Sequence, residues 1–131
     1  MKSWENFPAM QFFDVLADDI NAWAKEKGFW NQPKEINTVC AAYPEVAKFI
    51  QGLRKTQKHM LVVTEVAELT EEVRKPGDLD TEGFTNEEIE VADTIIRLLD
   101  YAANYRLRVG AAIAAKMLKN EGRPYQHGKA F

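Results

Sequence analysis

Between residues 89 and 103 the chain carries Ile89, Val91, Ala92, Ile95, Ile96, Leu98, Leu99, Ala102 and Ala103, which together encircle a helix almost completely. Their spacing follows a helical turn rather than the two-residue alternation of a strand. A helix this apolar is normally buried, so the fold must bring it partners on several sides. Two acidic residues, Glu90 and Asp93, nevertheless sit inside the pattern.

The rest of the chain is read as helix around this one. A first stretch, 8–27, places Phe13, Leu16, Ile20, Trp23 and Lys27 on one face, widened by Phe12 and Val15. Pro8 suits its first turn and Gly28 its C-terminal cap. Residues 29–43 read as a loop with room for a short helical turn. A second stretch starts near Pro44 and runs to about Lys75, where Pro76-Gly77-Asp78 stops it. At 1.5 Å per residue it is roughly 45 Å long. Thr85 with Glu88 three residues later predicts a capping box at the start of the third helix, with Phe84 and Ile89 as its hydrophobic staple. Gly110 is expected to end or bend that helix. Residues 111–119 suit a further short one, and 120–131 read as an irregular tail. Strand alternation is not sustained anywhere. The expectation is a single all-α domain over 1–131, an antiparallel helical bundle whose long central pair carries the carboxylates, completed by homo-oligomerisation.

Charge and composition narrow the function. The 131 residues carry a net charge of -3, which is not the basic footprint of nucleic-acid binding. No uncharged apolar run approaches the ~20 residues that span a bilayer. One cysteine, Cys40, excludes an internal disulfide, and the first residues show no signal peptide. A cytoplasmic protein is expected, with no nucleic-acid or membrane partner.

Glu90 and Asp93 are three apart, so both point the same way. Adjacent, partly buried carboxylates resist ionising without a cation. Arg97, four beyond Asp93, offsets part of the charge, and Asn86 extends the polar face. The second helix matches with Glu65, Glu68 and Glu72 on one face and Glu71 at its margin. A short turn makes the two helices antiparallel neighbours, so their acidic faces can oppose. Such a hard-oxygen set suits Mg²⁺, with Mn²⁺ able to substitute. The ferritin-type Glu-x-x-His pair is missing. A solvated acidic face is the plain alternative. Phosphates bound at such a site need cations, for which Lys58, Arg97, Lys116, Lys119, Arg123, His127 and Lys129 are candidates. Trp30 is a candidate for stacking on a base, with Phe29 and Tyr43 near it.

Glu65-Val66-Ala67-Glu68 followed by Glu90-Val91-Ala92-Asp93 resembles the paired Glu-x-x-Glu and Glu-x-x-Asp motifs of the MazG-like, all-α nucleoside triphosphate pyrophosphatases. The likeness covers about residues 45–130. The end of the chain, Lys116 to Asn120, Arg123-Pro124-Tyr125 and His127 to Phe131, looks like that of a short single-domain branch with phage and bacterial members. The resemblance implies Mg²⁺ on Glu65, Glu68, Glu90 and Asp93, and a water deprotonated with help from one of these or from Glu72. It implies cleavage between the α and β phosphates, giving a nucleoside monophosphate and pyrophosphate. It further implies a tail that holds the nucleotide, Asn104 as a polar group near it, and a homodimer or homotetramer. A purine dNTP, dGTP first, is the expected substrate. A dUTPase-like or diphosphate-hydrolysing relative and a non-enzymatic helical partner-binding protein are the competing expectations.

Overall fold

The computed structural model describes residues 1–124, and every regular element among them is helical. A 3-10 turn at Ser3–Glu5 precedes five α-helices: α1 Phe7–Glu26, α2 Lys34–Ala42, α3 Pro44–Arg74, α4 Asn86–Asn104 and α5 Val109–Glu121. No helix among the described residues is long and apolar enough to cross a membrane.

The helix ends follow local chemistry. Asn6 caps α1, its side chain accepting from the Ala9 N–H, and Pro8 lies in the first turn. Gly28, at φ +81°, takes the left-handed conformation that ends α1. Pro44 opens α3, which then runs 31 residues without a break at Gly52. Thr85 and Glu88 form the full capping box: Glu88 N–H donates to Thr85 Oγ1 at 3.1 Å, and Thr85 N–H donates to Glu88 Oε2 at 2.7 Å.

Two expectations about elements are corrected. The segment after α1 is more than a loop, because α2 is a nine-residue helix. Gly110 lies inside α5 rather than ending or bending α4, which stops at Asn104 in a turn where Arg106 adopts φ 54°. A Cβ at Gly110 would collide with the carbonyl of Met10, so the missing side chain is what lets α5 close onto α1. Asn120 accordingly ends inside α5 and not in an irregular tail.

The core is narrow and made of small residues. Met10, Ala17, Ala24, Leu99 and Ala102 are its buried apolar members. Thus α1 buries the line Met10, Ala17, Asn21, Ala24, while Phe12, Val15 and Trp23, the bulky residues expected on that face, are exposed. Small side chains let α1 lie close to α4, and the large ones are displaced to the flanks. α4 packs chiefly on α1 and α3, and α5 on α1 and the 3-10 turn. The burial expected all round α4 does not occur within one chain. Val91, Ile95 and Leu98, on the side that neither neighbour covers, are exposed.

Candidate metal centre and adjoining cavity

α3 and α4 meet along their acidic faces. His59 stacks edge-on with Tyr101, Glu65 pairs with Arg97, and Glu68 lies near Glu90. Rising positions on α3 therefore meet falling positions on α4, and the pair runs antiparallel. Carboxylate oxygens of Glu65, Glu68 and Glu90 all lie within 4.8 Å of one another. Glu65 is buried, Glu90 half-buried and Glu68 exposed, so the cluster is open to solvent on one side. Asp93, one turn along α4 from Glu90, lines the adjoining cavity together with Glu65.

The electrostatics of the cluster are unresolved by protein groups alone. Burial first, then the charges of Glu68, Asp93, Glu65 and Glu72, push the Glu90 carboxyl above the usual carboxylate range. Its Oε2 is buried without a hydrogen-bond partner. Arg97 Nε donates to Glu65 Oε1 and compensates that one carboxylate. Three converging carboxylates, one with an orphaned oxygen, have the donor chemistry of a hard divalent-cation site.

A cavity of about 790 Å³ opens beside the carboxylates. Glu65 and Asp93 stand in its wall with Arg97, Lys58 and Arg54, while Trp23, Phe29, Ile36 and Leu53 supply apolar lining. Asn31, Gln32 and Gln57 add amides. A single hollow thus carries carboxylates, cations, aromatic surface and neutral hydrogen-bonding groups.

One wall is pinned by a network that sequence reading did not find. Asp100 Oδ1 accepts from Asn21 Nδ2 at 2.7 Å and from Trp30 Nε1 at 2.8 Å. Arg54 donates to the Trp30 carbonyl and to Gln32 Oε1, both at 2.9 Å. Lys58 donates to the Phe29 carbonyl at 3.0 Å and stands 4.0 Å from the centroid of the Trp30 ring. Burial lowers the Lys58 pKa first; Asp100 raises it, and Arg54 and Arg97 lower it further. A signal for Asp100 existed, since Asp93, Arg97 and Asp100 recur at helical spacing on one face. Nothing in the sequence announced Asn21 or Arg54.

The structure gathers Glu65, Glu68, Glu90, Asp93, Arg97 and Lys58 in one region and disperses the other candidates. Glu72 accepts from the Gly77 N–H at 3.2 Å, holding the turn after α3, while its charge still acts on Glu90. Trp30 has its indole N–H committed to Asp100 and lines a second, smaller cavity with Asn104. Lys116, Lys119 and Asn120 lie on α5, which packs on α1 and the 3-10 turn. Arg123 follows α5, its N–H donating to the Asn120 carbonyl at 3.0 Å. His127 and Lys129 lie outside the described residues. Comparison of the chain with protein-family models, curated proteins and solved structures gives no match.

Proposed function

We propose that this chain is a Mg²⁺-dependent nucleoside triphosphate pyrophosphohydrolase of MazG-like type. The observation that carries the reading is the convergence of Glu65, Glu68 and Glu90 beside a cavity lined by Asp93, Arg97 and Lys58. Glu65, Glu68, Glu90 and Asp93 hold the metal. Bound there, Mg²⁺ supplies charge neutralisation for the phosphates and a water of lowered pKa.

The chain's own residues do the rest. Arg97 and Lys58 face the charge that builds on the bridging and terminal phosphate oxygens, as fixed cations in a partly desolvated wall. Water adds at the α phosphorus, the bond to the α–β bridging oxygen breaks, and pyrophosphate leaves with the bridging oxygen. One proton is released. Glu90, whose carboxyl is raised by burial and by its acidic neighbours, is the group that takes it up. The nucleoside lies toward Trp23 and Phe29, whose rings sit 5.7 Å apart at the apolar end of the cavity. Trp30, anchored by Asp100, buttresses that wall instead of stacking on the base. A purine dNTP, dGTP first, is the substrate favoured by the motif resemblance.

The active form is a homodimer or homotetramer in a helical-bundle arrangement. The chain exposes 10015 Å², against roughly 7,000 Å² for a compact monomer of this size. Phe49, Met60 and Val63 are exposed on the side of α3 turned away from Glu65, and Val91, Ile95 and Leu98 are exposed on α4. A second copy of the chain covers these stripes.

The test is a product-resolved screen of canonical and modified nucleoside triphosphates. Pyrophosphate is expected, only with Mg²⁺ or Mn²⁺, and Glu65→Gln or Asp93→Asn should abolish turnover while the helical content is kept. A folded protein inactive across the panel, or one that releases orthophosphate, overturns the reading.

A further inference from the structure

α3 is split by charge. Its first half carries Lys48, Arg54, Lys55 and Lys58 with no acid between Glu45 and Glu65, while its second half carries Glu65, Glu68, Glu71 and Glu72. Helices usually intermix charges at spacings that pair them. Here none of the four cations forms an ion pair with a carboxylate among the described residues. Three of them rest on aromatic rings instead: Lys55 stands 4.4 Å from the Tyr105 centroid, Lys58 4.0 Å and Arg54 6.0 Å from that of Trp30. In a chain of net charge -3, an uncompensated basic face is not explained by solubility.

Two of these cations, Lys48 and Arg54, border the second cavity, of about 490 Å³, which lies nearer the N-terminal end of α3 than the carboxylates do. Lys48, Gln51 and Lys55 recur at positions i, i+3 and i+7, so they share one face of the helix. Lys48, Gln51 and Arg54 line the hollow, Trp30 and Tyr105 wall it, and no acidic residue lines it. The two rings meet edge-on at 5.9 Å, leaving flat surface beside the cations. The Arg54 fork donates to Gln32 Oε1 and to the Trp30 carbonyl.

We propose that this second cavity is an anion-binding site that takes a small phosphorylated ligand, held by Lys48 and Arg54 and separate from the metal centre. The hollow is concave and carries only two cations in its lining, favouring a small molecule over a nucleic-acid strand, which needs a continuous basic groove. Arg54 and Gln32 also line the first cavity. A phosphate drawing Arg54 toward it competes with the bonds that hold the 30–32 segment in the wall beside the carboxylates. Occupancy of the second cavity therefore alters the first, and the ligand acts as an effector.

The site does not depend on the hydrolysis proposed above, and its test needs no turnover. Sodium triphosphate is titrated calorimetrically into the full chain with a chelator present, so that the metal centre does not contribute. Saturable binding is expected, weakening as salt rises. Lys48→Gln should lower the affinity about tenfold, the loss of one charge-assisted hydrogen bond. Lys25→Gln and Lys75→Gln, exposed cations outside both cavities, should leave it within about twofold. Circular dichroism of each variant separates lost binding from lost fold, and Lys48→Arg should restore binding. Three results overturn the proposal: no saturable binding, binding indifferent to Lys48, or binding that falls more with Lys58→Gln than with Lys48→Gln, which places the triphosphate in the first cavity. A titration with single-stranded oligonucleotides whose affinity grows with length overturns it in favour of a nucleic-acid surface.

Discussion

Glu90 shows how one residue concentrates the cost of a site. Its carboxyl lies above the usual range because burial and four acidic neighbours disfavour its charge. The folded state thus binds this proton more tightly than the unfolded chain does. The resulting stability is fully present below the unfolded pKa and is lost as pH rises through the raised folded value. Above that value the ionised group destabilises the metal-free protein relative to its protonated form. Glu90→Gln should raise the thermal midpoint measured in chelator, and Mg²⁺ should raise the midpoint of the wild type much more than that of the variant. Metal affinity, followed by calorimetry, should fall as pH drops through the Glu90 pKa, because protons and the cation compete for one oxygen. Asp100 poses the opposite case, a carboxylate fully used by protein donors. Asp100→Ala leaves the Trp30 indole and the Asn21 amide without their shared acceptor. Each such unpaired group costs about 1–3 kcal/mol. Urea unfolding should show the loss, and tryptophan fluorescence of the native state should shift with it.

At the scale of elements, the acidic faces oppose one another because α3 and α4 are started and stopped by local signals. The Pro76-Gly77 turn ends α3, and the Thr85–Glu88 box begins α4 one turn before Glu90. Thr85→Ala removes the oxygen that accepts from the Glu88 N–H and should cost about 1 kcal/mol in urea unfolding. The Thr85 backbone N–H first, and its hydroxyl second, lower the Glu88 pKa. That part of the stability is present above the unfolded pKa and fades as pH falls through the folded one. These caps were legible in sequence because they depend on residues three apart. α2 was less legible: Lys34 to Ala42 has no side-chain cap, and its packing on α3 comes from elsewhere in the chain.

For the whole molecule, the balance of apolar surface is the governing fact. Among the described residues only five apolar ones, Met10, Ala17, Ala24, Leu99 and Ala102, are buried, while Phe49, Met60, Val63 and Leu98 are among the exposed. Sedimentation equilibrium should find a dimer or tetramer whose thermal midpoint rises with protein concentration. Met60→Asp with Val63→Asp should shift it to monomer and lower its stability. A wild type monomeric at all accessible concentrations would remove the oligomer from the reading.

The sequence by itself determined the helical class, the ends of α3, the start of α4 and the two acid pairs, because each is a matter of spacing along one helix. Tertiary structure alone decided which acids converge. Glu65, Glu68 and Glu90 meet while Asp93 stands beside them in the cavity wall and Glu72 serves the Gly77 turn. It also decided that α1 buries Met10, Ala17, Asn21 and Ala24 while Phe12, Val15 and Trp23 stay exposed, and that Trp30 belongs to Asp100. Convergence depends on how closely two helices approach. Such approaches are decided by what packs against each residue, as where the missing Cβ of Gly110 lets α5 close onto Met10 of α1, and they leave no periodic trace in the chain.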